Sequence, residues 1–183
     1  MRAFIAVDIP ENVKRKLVKV TMSLNSPNFR PVRECNMHIT LAFMPDITEK
    51  DAESIISFLK NLKENLPEDS LEILNPIFFP TPSFPRVCAL EITDEKGTLR
   101  TLVDKVNSFL IQENIIFDDT KKFSPHLTLG RFRNFDKRKD FELINTFSKE
   151  SEKILGTRWT LPCPVLIQSI IKSGEPPYYE RLS

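Results

Sequence analysis

The chain has 183 residues, with 26 Lys and Arg against 25 Asp and Glu and a formal net charge of +1. A balanced chain has no long-range field with which to steer a polyanion, so any affinity for nucleic acid must come from a local patch. The three cysteines, Cys35, Cys88 and Cys163, are far apart and form no C-x-x-C pair, which excludes a disulfide framework and a zinc ribbon; they read as buried thiols in a reducing cytosol.

The apolar run Ala3 to Val7 stops at Asp8 and Pro10, too short for a signal peptide or a bilayer span, so a cytoplasmic protein without membrane attachment is expected. That run suits a buried strand. Pro10 and Glu11 then open a helix with Val13, Leu17, Val20 and Leu24 at helical spacing, and Asn25 to Pro31 is expected to be a loop. An extended stretch from Asn36 to Met44 follows. Thr48 with Asp51 forms a capping-box pattern for a second helix, whose stripe is Ala52, Ile55, Ile56, Leu59 and Leu62.

Leu71 to Leu74 begins another strand, after which Pro76, Pro80, Pro82 and Pro85 predict an irregular stretch. Arg86 to Ile92 reads as a strand, Leu99 to Leu110 as a third helix, and Phe123 to Phe132 as a strand. Phe141, Ile144 and Phe147 mark a fourth helix. Val165 to Ile171 and Tyr178 to Leu182 close the chain as strands, with Glu175-Pro176 in the turn between them.

Both histidines of the chain lie in near-identical frames, His38-Ile39-Thr40-Leu41 and His126-Leu127-Thr128-Leu129. On a strand each frame turns His and Thr to one face and two aliphatics to the other. The elements around them repeat as well: strand Ala3 to Asp8, helix, His38 strand corresponds to strand Val87 to Ile92, helix, His126 strand. The expected fold is therefore α+β, a duplicated, bilobal single domain with antiparallel sheets around a central groove and helices outside. Its pseudo-two-fold halves span roughly 1–80 and 84–183. A lone strand histidine is usually a packed side chain, but two in matching places of a duplicated scaffold argue for a shared site.

An imidazole titrates at about 6.5, so one can act as general base while its partner acts as general acid. In-line displacement at phosphorus needs such a pair on opposite sides. Thr40 and Thr128 can donate to non-bridging phosphate oxygens. Neither Thr has an activating neighbour and no Cys is close, so the nucleophile is water or a substrate hydroxyl. His-x-Thr is not a common metal-ligand spacing, and neither metal nor other cofactor is expected. Between positions 121 and 139, Lys121, Lys122, Arg131, Arg133, Lys137, Arg138 and Lys139 face a single acid, Asp136, which fits either a solvated surface or a nucleic-acid track. Arg131 is the best substrate-binding candidate, although strict alternation would point it away from His126 unless Gly130 makes a bulge. Phe79, Phe84, Tyr178 and Tyr179 are candidate platforms for unpaired bases.

These motifs resemble the two-histidine phosphoesterases, and among them the bacterial and archaeal RNA 2′,3′-cyclic phosphodiesterases, also called 2′-5′ RNA ligases. The likeness extends to Arg2-Ala3-Phe4-Ile5-Ala6-Val7-Asp8, to Phe84-Pro85-Arg86-Val87, to Pro125 and Gly130-Arg131 around the second motif, and from Gln168-Ser169 through Tyr179. It departs at Phe43-Met44-Pro45, where relatives usually carry Phe-Leu-Gly, and at Arg30, where an aromatic often stands close before the proline. The resemblance implies cofactor-free opening of RNA 2′,3′-cyclic phosphate ends, tRNA fragments among them, to 2′-phosphates by a monomeric enzyme. His38 would be the proton donor and His126 the proton acceptor, and 2′-5′ ligation would result if a 5′-hydroxyl replaced water. Two other readings use the same groove: hydrolysis of a small cyclic phosphate, such as a cyclic nucleotide or ADP-ribose cyclic phosphate, and non-catalytic binding of RNA ends.

Overall fold

In the computed structural model, which describes residues 1–120, 122–172 and 177–183, the first apolar run forms β1 (Ala3–Asp8), buried until Asp8. Pro10, with φ −61°, leads into α1 (Glu11–Met22), which buries Val13, Leu17 and Val20. A short strand, β2 (Phe29–Pro31), and a single 3-10 turn at Glu34–Asn36 precede β3 (His38–Met44). The capping box forms as its sequence predicts: Asp51 N donates to Thr48 Oγ1 (3.1 Å) and Thr48 N to Asp51 Oδ2 (2.8 Å) at the start of α2 (Glu49–Glu64). The chain continues through β4 (Ser70–Phe79), β5 (Val87–Asp94), α3 (Thr98–Gln112), β6 (His126–Phe132), α4 (Lys137–Glu152), β7 (Arg158–Thr160), β8 (Pro164–Ile170) and β9 (Tyr178–Arg181).

Several elements differ from the sequence reading for identifiable reasons. The loop expected at Asn25 to Pro31 contains β2, and β7 was not expected at all; each has three residues and exists by pairing with a longer strand, β2 with β6 and β7 with β4. The stretch expected to be irregular after Leu74 is strand as far as Phe79, because Pro76 falls at a register shift beyond the end of β7, where a strand tolerates proline. Cys88 is buried as expected, but Cys163 is only half-buried and Cys35 is exposed on its 3-10 turn. The Glu175-Pro176 turn lies outside the described residues.

The strands form two antiparallel sheets, ordered β3-β1-β8-β9 and β2-β6-β5-β4-β7. Each sheet takes strands from both halves of the chain: β4 joins the sheet of β5 and β6, while β8 joins that of β1 and β3. Helices cross over too. α2 and α3 pack on β8 and β3 of the four-stranded sheet, and α1 and α4 on β6 and β4 of the other. Phe58 of α2 and Phe109 of α3 stack at 4.1 Å, joining helices from opposite halves. This exchange binds the halves into one core.

The duplication extends to the hydrogen-bond register. In the first sheet Asp8 faces His38, Ala6 faces Thr40 and Ile5 faces Ala42; in the second, Glu91 faces His126, Ala89 faces Thr128 and Cys88 faces Gly130. The sequence alignment of the halves set Asp8 against Ile92; the ladder equates Asp8 with Glu91, one residue earlier. Each His strand carries one extra residue relative to its partner, Leu41 in β3 and Leu129 in β6.

β2 is fastened in place by the buried Asp140, on the first turn of α4. Its carboxylate accepts from Ser26 Oγ (2.7 Å), Asn28 Nδ2 (3.0 Å) and Asp136 N (2.8 Å). Burial by itself would push this carboxyl up, but the hydrogen bonds outweigh it and hold the group below its ordinary value. Asp140→Ala should cost about 1–3 kcal/mol, because it strands the Ser26 and Asn28 donors, and denaturant unfolding reads this. The depressed carboxyl contributes stability that is complete above the unfolded value of about 3.9 and is lost as pH falls through the lower folded value. The acid unfolding of the wild type and Asp140→Asn should therefore converge at low pH.

Candidate active site

β3 and β6 lie against each other where the two sheets meet. His38 and Thr40 from one, and His126, Thr128 and Arg131 from the other, line a single cavity of about 330 Å³. A second cavity of about 500 Å³ opens on the other side of the same residues; it shares Thr40, Phe43, His126, Thr128 and Arg131 with the first. Thr40, His126 and Thr128 thus stand where the two cavities meet, with His38 beside them in the first.

The two imidazoles are held alike. His38 Nδ1 lies 2.7 Å from Asn36 O and His126 Nδ1 lies 2.8 Å from Ser124 O, in each case the carbonyl two residues upstream. A carbonyl only accepts, so Nδ1 carries the hydrogen and Nε2 is left for the groove. At His38, Nε2 accepts from Thr40 Oγ1 at 3.1 Å. The His38 ring stacks on Phe4 (centroids 4.5 Å) and meets the edge of Tyr179 (5.5 Å); His126 packs against Phe79 (5.0 Å).

Burial against these rings pushes the His38 imidazole down to about 4. The Asn36 carbonyl and Asp8 favour the charged form, while Arg131 and His126 act with burial to disfavour it. The influence of Arg131 and His126 on His38 reflects their place across the same groove. At neutral pH His38 is held neutral.

Arg131 reaches the cavity because of the extra residue at Leu129, which breaks the alternation that would otherwise turn it away from His126 and Thr128. In β3 the corresponding irregularity turns Phe43 to the cavity. Gly130 matters for packing instead. A Cβ there would lie 2.0 Å from Phe29 Cζ, so its lack of a side chain lets the Phe29 ring of β2 sit on β6.

Of the basic residues between 121 and 139, Lys122 and Arg131 line the groove, while Arg133, Lys137, Arg138 and Lys139 are exposed elsewhere; Lys121 lies outside the described residues. The stretch as a whole is a solvated surface around the start of α4, not a continuous track. Among the candidate base platforms, Tyr179 lines the first cavity and Phe79 the second; Phe84 packs on Phe135 and Tyr178 is exposed, and neither lines either cavity. Sequence reasoning missed Arg2, Arg33 and Ser169 as lining residues and took Arg30 for a loop residue. The alternation of β1 places Arg2 and Phe4 on one face and could have found Arg2; nothing in the sequence marks Arg33.

A family model described as LigT like phosphoesterase matches residues 7–86. An RNA 2′,3′-cyclic phosphodiesterase of Archaeoglobus fulgidus is 30% identical over 162 residues, covering 85% of this chain and 84% of the relative. The chain belongs to this family. The RNA 2′,3′-cyclic phosphodiesterase of Methanocaldococcus jannaschii is 27% identical over 76% of each chain. Among solved structures, TT0787 of Thermus thermophilus shares the fold with a TM-score of 0.81 at 23% identity, over 100% of this chain and 96% of that one. Escherichia coli LigT, solved with 3′-AMP, does so at 0.73 and 18%, over 100% and 95%.

Two outcomes are expected of this LigT-like site. Gly130→Ala should lose about 1–3 kcal/mol of stability in denaturant unfolding, because the new methyl must displace Phe29 and with it β2. Titrated by NMR in the ligand-free protein, His38 should stay neutral until pH approaches about 4. Since its folded value is depressed below the unfolded one of about 6.5, its contribution to stability is complete above 6.5 and lost as pH falls through about 4.

Proposed function

We propose that this LigT-like phosphoesterase hydrolyses RNA 2′,3′-cyclic phosphate ends to 2′-phosphates by acid–base catalysis between His38 and His126. The observation that carries this reading is the pair of matched His-x-Thr strands opening onto one cavity with Arg131 between its two arms. Water attacks phosphorus as His126 takes its proton; the bond from phosphorus to the 3′ oxygen breaks, and His38 gives that oxygen a proton. Thr40, Thr128 and Arg131 bind the non-bridging oxygens as charge gathers on them. With a 5′-hydroxyl in place of water the same steps form a 2′-5′ linkage. RNA ends, tRNA fragments among them, are the substrates, acted on by a monomer in the cytoplasm.

His38 as donor sets a condition. Its imidazole is held neutral by burial, so the phosphate anion must raise it on binding. His38 then takes up a proton from solvent as the substrate binds and passes it to the 3′ oxygen, which leaves the ring neutral again, while the proton gained by His126 returns to solvent.

An oligonucleotide ending in a 2′,3′-cyclic phosphate should yield a 2′-phosphate and a free 3′-hydroxyl. His38→Ala and His126→Ala should each lose at least about a hundredfold in kcat while keeping the wild-type circular dichroism. A 3′-phosphate product, or turnover retained in either variant, contradicts the reading. The pH dependence tests the roles. With His38 as donor, the basic limb of kcat/KM, which reports free enzyme, lies at lower pH than that of kcat; His38 acting as base would instead place the acid limb of kcat/KM near 4.

A further inference from the structure

The first cavity holds more positive charge than one cyclic phosphate can use. A cyclic phosphodiester carries a single negative charge, which Arg131 beside His126 and Thr128 can meet alone. Arg2, Arg30 and Arg33 line the same cavity, and among the described residues none of these four arginines has a carboxylate partner.

The placement of Arg30 is the sharpest of these features. β2 pairs with β6 so that Arg30 stands directly opposite Arg131, which puts both guanidinium groups on one face of the sheet. Like charges directly opposite each other on neighbouring strands are destabilising. This pair is nevertheless braced from several directions. Phe29 is seated on Gly130, and Asp140 ties down Ser26 and Asn28 just upstream. Arg33 is held by a hydrogen bond from Nη2 to Pro177 O (2.8 Å), and Arg2 lies over the Phe43 ring at 4.7 Å. Cations held together facing a cavity, with no carboxylate partner among the described residues, suit an anion, and the planar fork of arginine fits phosphate oxygens.

The two ends of the groove differ in charge balance. Among the described residues the first cavity has Arg2, Arg30 and Arg33 and no acidic lining residue, whereas the second, beyond His126, sets Arg100 and Lys122 among Asp104, Asp118 and Asp119. The excess positive charge therefore lies at the first end.

We infer that Arg30, with Arg33 and Arg2, forms a second phosphate subsite that holds the phosphodiester on the 5′ side of the terminal nucleotide, making the enzyme selective for oligonucleotide ends over mononucleotides. This rests on the reading of the site as a cyclic phosphodiesterase. The direction follows from the chemistry of the substrate: a 2′,3′-cyclic phosphate closes the 3′ end, so every other phosphate of the strand lies to its 5′ side.

The test compares a trinucleotide ending in a 2′,3′-cyclic phosphate with adenosine 2′,3′-cyclic phosphate, in wild type, Arg30→Gln and Arg30→Lys. Arg30→Gln should raise KM for the trinucleotide and cut the ratio of the two kcat/KM values about tenfold, with Arg30→Lys recovering part of it. The slope of log KM against log salt for the trinucleotide should fall by about 0.7, one released counter-ion from a single strand. Thermal unfolding of Arg30→Gln should be unchanged or raised, since a repulsion has been removed. A wild type with no preference for the trinucleotide, or a ratio unchanged in Arg30→Gln, overturns the subsite. Binding of the corresponding 3′-phosphorylated trinucleotide and 3′-AMP separates this from failure of the catalytic reading. If neither cyclic substrate is turned over, a trinucleotide preference in binding that disappears in Arg30→Gln still supports the subsite, and its absence overturns it.

Discussion

Everything at this site depends on the register of two antiparallel ladders, β1 with β3 and β5 with β6. Side chains on a strand alternate faces, so a slip of one residue would send His38 and Thr40, or His126 and Thr128, into the core and bring aliphatic residues to the groove. The fully buried Ile39 and Leu127 resist that slip, because it would move them to the polar face. The extra residue in each His strand adds a second effect. It shifts the alternation after the threonine, so that Phe43 and Arg131 join a face from which regular pleating would exclude them.

The exchange of strands and helices between halves gives this register its rigidity. Had each half kept its own elements, the groove would have been a boundary between two lobes free to hinge. Instead β8 is a central strand of the sheet that carries His38, and β4 lies beside β5 in the sheet that carries His126. The imidazoles are supported from behind by rings, Phe4 and Tyr179 on one side and Phe79 on the other, and each is oriented by a backbone carbonyl. Nearly identical local geometry therefore surrounds two rings whose wider surroundings differ. The burial that depresses His38 comes from its own surroundings, with Phe4 and Tyr179 packed against the ring.

Charge is distributed with the same economy. The chain is nearly neutral overall, yet one end of its groove gathers arginines with no acidic lining residue among the described residues, while at the other end cations and aspartates are mixed. Composition averages over this division. Of the basic stretch between 121 and 139, Lys137 to Lys139 belong to the exposed first turn of α4, and among its described residues only Lys122 and Arg131 join the groove, which draws also on Arg2, Arg30 and Arg33 from distant parts of the sequence.

Features that are local or repeated are legible in the order of residues alone. Periodicity placed the four helices and the strands other than β2 and β7, though only the first part of β4; the Thr48 capping box marked a helix start to the residue, and the paired His-x-Thr frames in a duplicated order pointed to one groove. Tertiary structure decided what depends on partners far along the chain. β2 and β7 are strands because β6 and β4 lie beside them, and Pro76 sits within a strand because a bulge accommodates it. The glycine condition on Arg131 was legible in advance, but the extra residue fell at Leu129, and Gly130 serves instead to admit Phe29. Arg30 faces Arg131 across a pairing that no local pattern encodes, and the low value of His38 arises from rings on β1 and β9. Side-chain spacing is a property of the chain, whereas opposition across a ladder and burial beneath another strand exist once the chain has folded.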